Sequence, residues 1–336
     1  MKKTTFRTAL EAAWEKRTAL RERTTALRIL NGAASGTPGL IVDKFADYLV
    51  VYAYEKDLRE RYGDFPHDLT EVCGARGIAL KDRSAKGEEG REGGRALLGD
   101  VPETVEVREG PFKFLAHLQH PRNVGLFLDT RNLRETLADR CRRHDVLNLF
   151  SYSCSLGVAA SLRNQGSVVN VDISARYLGW GRENTIANGL DPEATKFLRM
   201  DTEKYLDWAT KKALTFDVII LDPPSFSRSK TGTYSFEDDY FRLVEKCAKL
   251  LRPGGTLHAL TNYGKITPDQ FRNRVRDVLT AAGRTPVHMA PMILPIDFDG
   301  AGSAESGEAV TGVPVPNGET GSAVEGTLTG CEALLP

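Results

Sequence analysis

Between Asp145 and Ser227 the chain passes four times through one pattern, a short apolar run that stops abruptly at an acid or a turn-forming residue. The runs are Asp145-Val-Leu-Asn-Leu-Phe150, Val168-Val-Asn-Val-Asp172, Phe197-Leu-Arg-Met-Asp201 and Phe216-Asp-Val-Ile-Ile-Leu-Asp222. Short apolar runs with such ends are read as strands covered on both faces. Helical segments are expected between them at 156–164, 174–187 and 202–213, the second closed by Asn188-Gly189. A helix at 237–251, a strand at 256–261 and a helix at 268–282 continue the alternation, with a last strand expected at 327–334. Such alternation requires a parallel sheet with right-handed crossovers. Ligands of open α/β sheets bind in the crevice beyond the carboxyl ends of the strands. The four polar tips therefore describe one site.

The first turn narrows the ligand. A nucleotide pyrophosphate needs a glycine-rich turn where backbone N–H groups can approach the anion. Here the turn is Phe150-Ser-Tyr-Ser-Cys-Ser-Leu-Gly157, with one glycine and several bulky residues. A ligand without phosphate fits better, and S-adenosylmethionine is one. Asp172, 24 positions after Asn148, can accept both hydroxyls of its ribose. The competing reading makes Asp172 a helix cap, a place Ser174 could take instead. Asp201 can accept from the adenine amino group, or can simply be an acid at a helix start. The cofactor is thus expected across Phe150, Ser151, Tyr152, Asp172, Asp201 and Asp222.

Asp222-Pro-Pro-Ser-Phe226 is the most specific tract. Two prolines after a buried strand fix an extended backbone and leave carbonyls without local donors. That suits a planar nucleobase, stacked on Phe226 and bonded to the Asp222 side chain or the Pro223 carbonyl.

The rest of the 336-residue chain has room for a second domain. Thr4 to Arg28 reads as one helix with Phe6, Leu10, Trp14, Leu20 and Leu27 near one stripe. Leu40 to Tyr54 reads as a hairpin turning near Phe45 to Asp47. A helix over 64–73 and strands at 77–81, 104–108 and 112–117 complete a small α+β unit, with a loop at Lys86 to Gly94. Net charge is zero, but Met1 to Arg28 holds eight cations against three acids, while from Asp297 onward there are seven acids and no Lys or Arg. Such asymmetry is compatible with a basic arm meeting phosphate, and equally with a solvated helix face. The tail from Gly300 to Gly326 reads as a long loop. Five scattered cysteines without CxxC spacing argue for a reducing cytoplasm, and no apolar run approaches the roughly 20 residues that cross a bilayer. Six histidines show no ligand spacing beyond His117 and His120, so no metal is expected.

These residues resemble the large-subunit ribosomal RNA methyltransferases of the RlmI and RlmK type. The marks are Asn31-Gly, Pro38-Gly-Leu-Ile-Val-Asp43, Gly125-Leu-Phe-Leu-Asp-Thr-Arg131, Asn148-Leu-Phe-Ser-Tyr152, Val171-Asp-Ile-Ser174, Asn184, Asn188-Gly189 and Leu221-Asp-Pro-Pro-Ser-Phe226, covering roughly Arg28 to Phe271. The resemblance implies a Rossmann-like class I methyltransferase sheet, S-adenosylmethionine as donor and an RNA base as acceptor. Asn148 and Ile173 join the cofactor residues through its motifs, and Asp129 and Arg131 help close that site. It divides the chain into a basic helix (1–30), a small α+β accessory domain (31–118) and a methyltransferase domain (119–336). The family opens with a PUA domain, where here a basic helix precedes Asn31; that helix is expected to contact RNA phosphates in its stead. Ser155, Leu156 and Gly157 stand where glycines are commoner.

Cytosine-modifying relatives carry a cysteine near the end of the fifth strand, and this chain has Leu260-Thr-Asn-Tyr-Gly264, closer to the guanine-N7 type. Asp222, Pro223, Phe226 and Asn262 are accordingly the expected catalytic residues, acting on a guanine ring nitrogen of ribosomal RNA. A cytosine-C5 enzyme, a non-catalytic RNA-binding relative and a nicotinamide dehydrogenase are the alternatives, the last disfavoured by the missing glycines. A homodimer is left open.

Overall fold

The computed structural model describes residues 3–84, 94–229, 232–298 and 329–335. The expected loops at Lys86 to Gly94 and Gly300 to Gly326 lie, apart from Gly94, outside them. Two compact units are present, one built on Met1–Leu128 and one on Asp129–Leu294.

The first unit starts with helices α1 (Lys3–Lys16) and α2 (Thr18–Arg23), then strands β1 (Ala26–Asn31), β2 (Leu40–Phe45) and β3 (Tyr48–Ala53). Helices α3 (Leu58–Tyr62) and α4 (Phe65–Cys73) precede β4 (Gly77–Asp82) and β5 (Arg95–Gly99), which close a sheet in the order β1-β2-β3-β4-β5. A separate hairpin follows, β6 (Thr104–Glu109) with β7 (Phe112–His117). The expected single helix over Thr4 to Arg28 is corrected here. It breaks after Lys16, and Ala26–Asn31 pairs antiparallel with β2, Leu27 opposite Lys44. The run Ala-Leu-Arg-Ile-Leu fits a strand as well as a helix, and burial of Leu27, Ile29 and Leu30 in the sheet core decides it.

Phe6 and Leu10 of α1 lie in that same core, the Phe6 ring 5.3 Å from Tyr62. Several of the N-terminal cations are held internally. Arg7 binds Glu71 at 2.6 Å, Glu11 at 3.0 Å and Asp68 at 3.2 Å. Arg17 donates to the Arg28 and Asp297 carbonyls, and Arg28 pairs with Asp43 at 2.8 Å.

The second unit opens with α5 (Arg131–Arg140) and β8 (Val146–Leu149), then alternates through α6 (Ser155–Ser161), β9 (Val168–Asp172), α7 (Ala175–Ala187), β10 (Lys196–Arg199), α8 (Thr202–Lys211) and β11 (Phe216–Leu221). A small hairpin, β12 (Phe226–Ser229) with β13 (Gly232–Ser235), precedes α9 (Phe236–Leu250). Strand β14 (Leu251–Thr261), helix α10 (Pro268–Ala281), β15 (His288–Pro291) and β16 (Thr329–Leu334) finish the unit. Its sheet runs β10-β9-β8-β11-β14-β16-β15, with β16 antiparallel to both neighbours.

The chain moves outward from β8 to β10, then crosses back to β11 and moves the other way. The switch point thus falls between β8 and β11, where the ligand crevice of such a sheet opens. Buried Leu147, Leu149, Val171, Ile219 and Leu221 join Tyr205, Leu206, Tyr240 and Val244 in a core below the tips. The strand expected at 256–261 begins earlier, at Leu251. Arg252 joins its base to the neighbouring strands, reaching Asp145 and Asp217 at 2.6 Å each.

Candidate active site

The first turn carries unusual backbone. Phe150, Tyr152 and Cys154 have φ of 54°, 48° and 58°. Non-glycine residues in this left-handed region cost about 1–2 kcal/mol each, so neighbours must hold them. Three clamps do so. The Asp172 carboxylate accepts from Tyr152 N (2.9 Å) and from Ser174 N (2.8 Å). Ser151 N donates to the Val171 carbonyl (3.0 Å). Asn184, buried in α7, donates to the Ser153 carbonyl (3.0 Å). The Tyr152 ring meets Tyr177 edge-on at 4.5 Å and Trp180 at 6.0 Å.

Serine and leucine replace the commoner glycines at 155 and 156, but Gly157 is required. A Cβ there would meet Asn170 Oδ1 at 2.0 Å. Asn170 Oδ1 accepts from Asn148 Nδ2 (2.9 Å), so the Asn148 side chain spends its amide inside the sheet, tying β8 to β9 below the crevice.

Asp172 is not the helix cap. Ser174 caps α7, accepting from Tyr177 N. The carboxylate instead braces the first turn, and each oxygen keeps a lone pair for a further donor. Burial raises its carboxyl above the ordinary value, against the Ser174, Tyr152 and Ile173 N–H groups that lower it. Asp201 does cap α8, accepting from Lys204 N at 3.1 Å through Oδ1. Beside these acids two apolar side chains stand in solvent, Ile173 at 48% and Met200 at 37% exposure. Apolar surface beside acceptors is what an adenosine site uses, with a carboxylate for the ribose hydroxyls and another for the amino group.

At the next tip Asp222 is half-buried, with no hydrogen-bond partner among the described residues. Burial, with the negative charge of Asp129, pushes its carboxyl up to about 7. Asp129 sits in the turn Leu128–Thr130, and the following Arg131 is buried at the start of α5. Thr130 accepts from Arg134 at 2.5 Å, which fixes that turn. Two neighbouring acids, one held above its ordinary range, are suited to a cationic ligand. Tyr234 on β13 carries no motif that marks it in the sequence. Its ring lies 5.8 Å from Phe150, and its buried hydroxyl has no partner among the described residues. Burial and the charges of Asp239 and Asp222 raise its phenol.

The fourth and fifth tips meet directly. Ser225 Oγ donates to Asn262 Oδ1 at 2.5 Å. Asn262 is exposed, and its carboxamide N–H donors have no hydrogen-bond partner among the described residues. Tyr263 stacks on Phe236 at 4.5 Å and bonds to Glu237. Pro223 is buried and Pro224 exposed, while the Phe226 side chain lies outside the described residues. All five cysteines are buried and unpaired by disulfide. Burial pushes the Cys154 and Cys331 thiols up to about 12 and Cys247 further, so none is a thiolate near neutrality. Among the described residues no group of three His, Cys, Asp or Glu could hold a metal, and no helix is long and apolar enough to cross a membrane.

The fold is that of a class I methyltransferase, and comparison with known proteins agrees. Residues 84–284 match the family model of S-adenosylmethionine-dependent methyltransferases. Ribosomal RNA large subunit methyltransferase I of Aeromonas salmonicida is 32% identical over 286 residues, 83% of this chain and 72% of that protein. Ribosomal RNA large subunit methyltransferase K/L of Shewanella amazonensis is 32% identical over 76% of this chain and 36% of its own length. A candidate S-adenosylmethionine-dependent methyltransferase from Streptococcus mutans superposes with a TM-score of 0.81 at 24% identity, over 99% of this chain and 82% of that one. The chain belongs to the S-adenosylmethionine-dependent methyltransferase family, which removes the dehydrogenase alternative.

Proposed function

We propose that the protein methylates a guanine ring nitrogen in large-subunit ribosomal RNA, using a site contained in the Asp129–Leu294 unit. The relatives' names support ribosomal RNA as the substrate. The observation that carries the acceptor is the Ser225–Asn262 contact beside Asp222. It leaves an amide donor and a carboxylate acceptor at neighbouring tips, complementary to a purine that offers both a carbonyl and N–H groups.

In this reading Phe150, Ser151, Tyr152, Asp172, Ile173 and Asp201 hold the adenosine part of the cofactor, with Asn148 aligning the strands beneath. Asp129 and Arg131 close the other end, and Asp222, Pro223, Phe226 and Asn262 face the base. S-adenosylmethionine supplies a methyl group activated by a sulfonium sulfur. In-line transfer to a nitrogen lone pair asks the protein mainly for alignment. As the methyl passes, positive charge moves onto the base, and the Asp222 carboxylate stands where it can stabilise that charge. Cytosine C5 would need a thiolate added to the ring first, and the thiols here are buried and neutral.

A Cys154→Ala, Cys247→Ala double variant should therefore keep full turnover on ribosomal RNA. Steady-state methyl incorporation, with a melting curve to confirm folding, measures it. Abolished turnover in a folded, cofactor-binding double variant would overturn the nitrogen assignment. So would covalent trapping by a fluorinated cytosine substrate.

A further inference from the structure

In the first unit, several cations are matched by acids or carbonyls, as at Arg7, Arg17 and Arg28. Arg21 and Lys44 are not. Both address one indole: the Arg21 guanidinium carbon lies 3.9 Å from the Trp14 ring centroid and Lys44 Nζ 5.8 Å from it. Among the described residues neither cation has a carboxylate within ion-pairing distance, 4.0 Å. Arg21 Nη2 donates to Thr18 Oγ1 at 2.7 Å, and its buried Nε–H has no acceptor among the described residues. Lys44 is half-buried, and burial together with the Arg21 charge lowers its ammonium. The acidic groups near it do not neutralise it. Asp47 is exposed and outside pairing range, and burial pushes the neighbouring Cys73 thiol up to about 12, so it stays neutral.

Two like charges brought together, partly out of water and without an anion, raise the free energy of the fold. A bound anion removes that cost. We propose that Arg21, Lys44 and Trp14 form a binding site for a phosphodiester of the RNA substrate, an inference that rests on the RNA reading above. A phosphate brings the missing negative charge and an acceptor for a guanidinium fork. Trp14 keeps the two cations in register through its ring face. The basic character of the N-terminal segment then acts at one built place, shared with β2, and not as a free arm.

The test is binding of a labelled ribosomal RNA fragment at several salt concentrations, followed by fluorescence anisotropy. An Arg21→Ala, Lys44→Met double variant should bind about tenfold more weakly near physiological salt, and the slope of log affinity against log salt should fall by about 0.7, one single-strand phosphate contact. Its melting temperature should stay equal or rise, because a like-charge pair has been removed, and its S-adenosylmethionine affinity should not change. Arg7→Ala, which removes a cation already held by three acids, should leave the slope intact. A double variant with wild-type affinity and slope would overturn this site while leaving the catalytic reading standing. A wild-type protein that binds no ribosomal RNA would overturn the substrate reading, and this occupant with it.

Discussion

Asp222→Asn should make the free protein more stable at pH 8 and nearly abolish methyl transfer. The native carboxyl is raised from 3.8 to about 7. A raised native value means that the proton stabilises the fold. That stabilisation is complete below about pH 4 and is lost as pH rises through about 7. At pH 8 the native state therefore carries an unfavourable carboxylate. At 1.36 kcal/mol per unit the full shift corresponds to about 4 kcal/mol, and partial exposure reduces it to roughly 2 kcal/mol. Asparagine cannot ionise, so the gain should appear in denaturant titrations at pH 8 and vanish near pH 4. Turnover should fall by about 10²–10³, the usual loss when one preorganised charge is removed from a developing transition state. A variant that is no more stable at pH 8, or that turns over normally, would place Asp222 outside this role.

Asp172→Ala should cost the cofactor most of its affinity. The carboxylate is the acceptor available to two ribose hydroxyls, worth about 1.5–3 kcal/mol. It also holds Tyr152 N and Ser174 N, so its removal frees a turn that stores about 1–2 kcal/mol at each of three left-handed residues. Affinity by calorimetry should drop by at least about tenfold, as each tenfold takes about 1.4 kcal/mol. Asp172→Asn should recover part of it, since one oxygen still accepts. Affinity within about threefold of wild type, in a folded variant, would mean that the cofactor lies elsewhere.

The sheet and its acids were legible because a parallel strand buried on both faces leaves an unbroken apolar run, and the run must end where the strand surfaces. Asp172, Asp201 and Asp222 follow from that rule alone, and parallel pairing puts their strand ends on the same edge of the sheet. What holds the site could not be read the same way. Asn184 is marked by the family resemblance, but its role, clamping the Ser153 carbonyl from 31 positions away, is set only by the fold. The hairpin β12–β13 carries serines, a threonine and a glycine, a loop composition that does not mark Tyr234; pairing of Ser227 with Tyr234 brings it beside Phe150. The leucines of Ala26–Asn31 suit both periods, and only the partner strand decides between them. Charge at the N-terminus was visible as a sum, while its division between internal ion pairs and the Arg21–Lys44 pair is a property of the fold.

The most direct measurement is nucleoside mass spectrometry of ribosomal RNA methylated in vitro by the purified protein with isotopically labelled S-adenosylmethionine. The expected result is label on a guanosine ring nitrogen, present with the Cys154→Ala, Cys247→Ala protein and lost with Asp222→Asn. Label on carbon 5 of cytidine, or none on RNA from a protein that binds the cofactor, would contradict it.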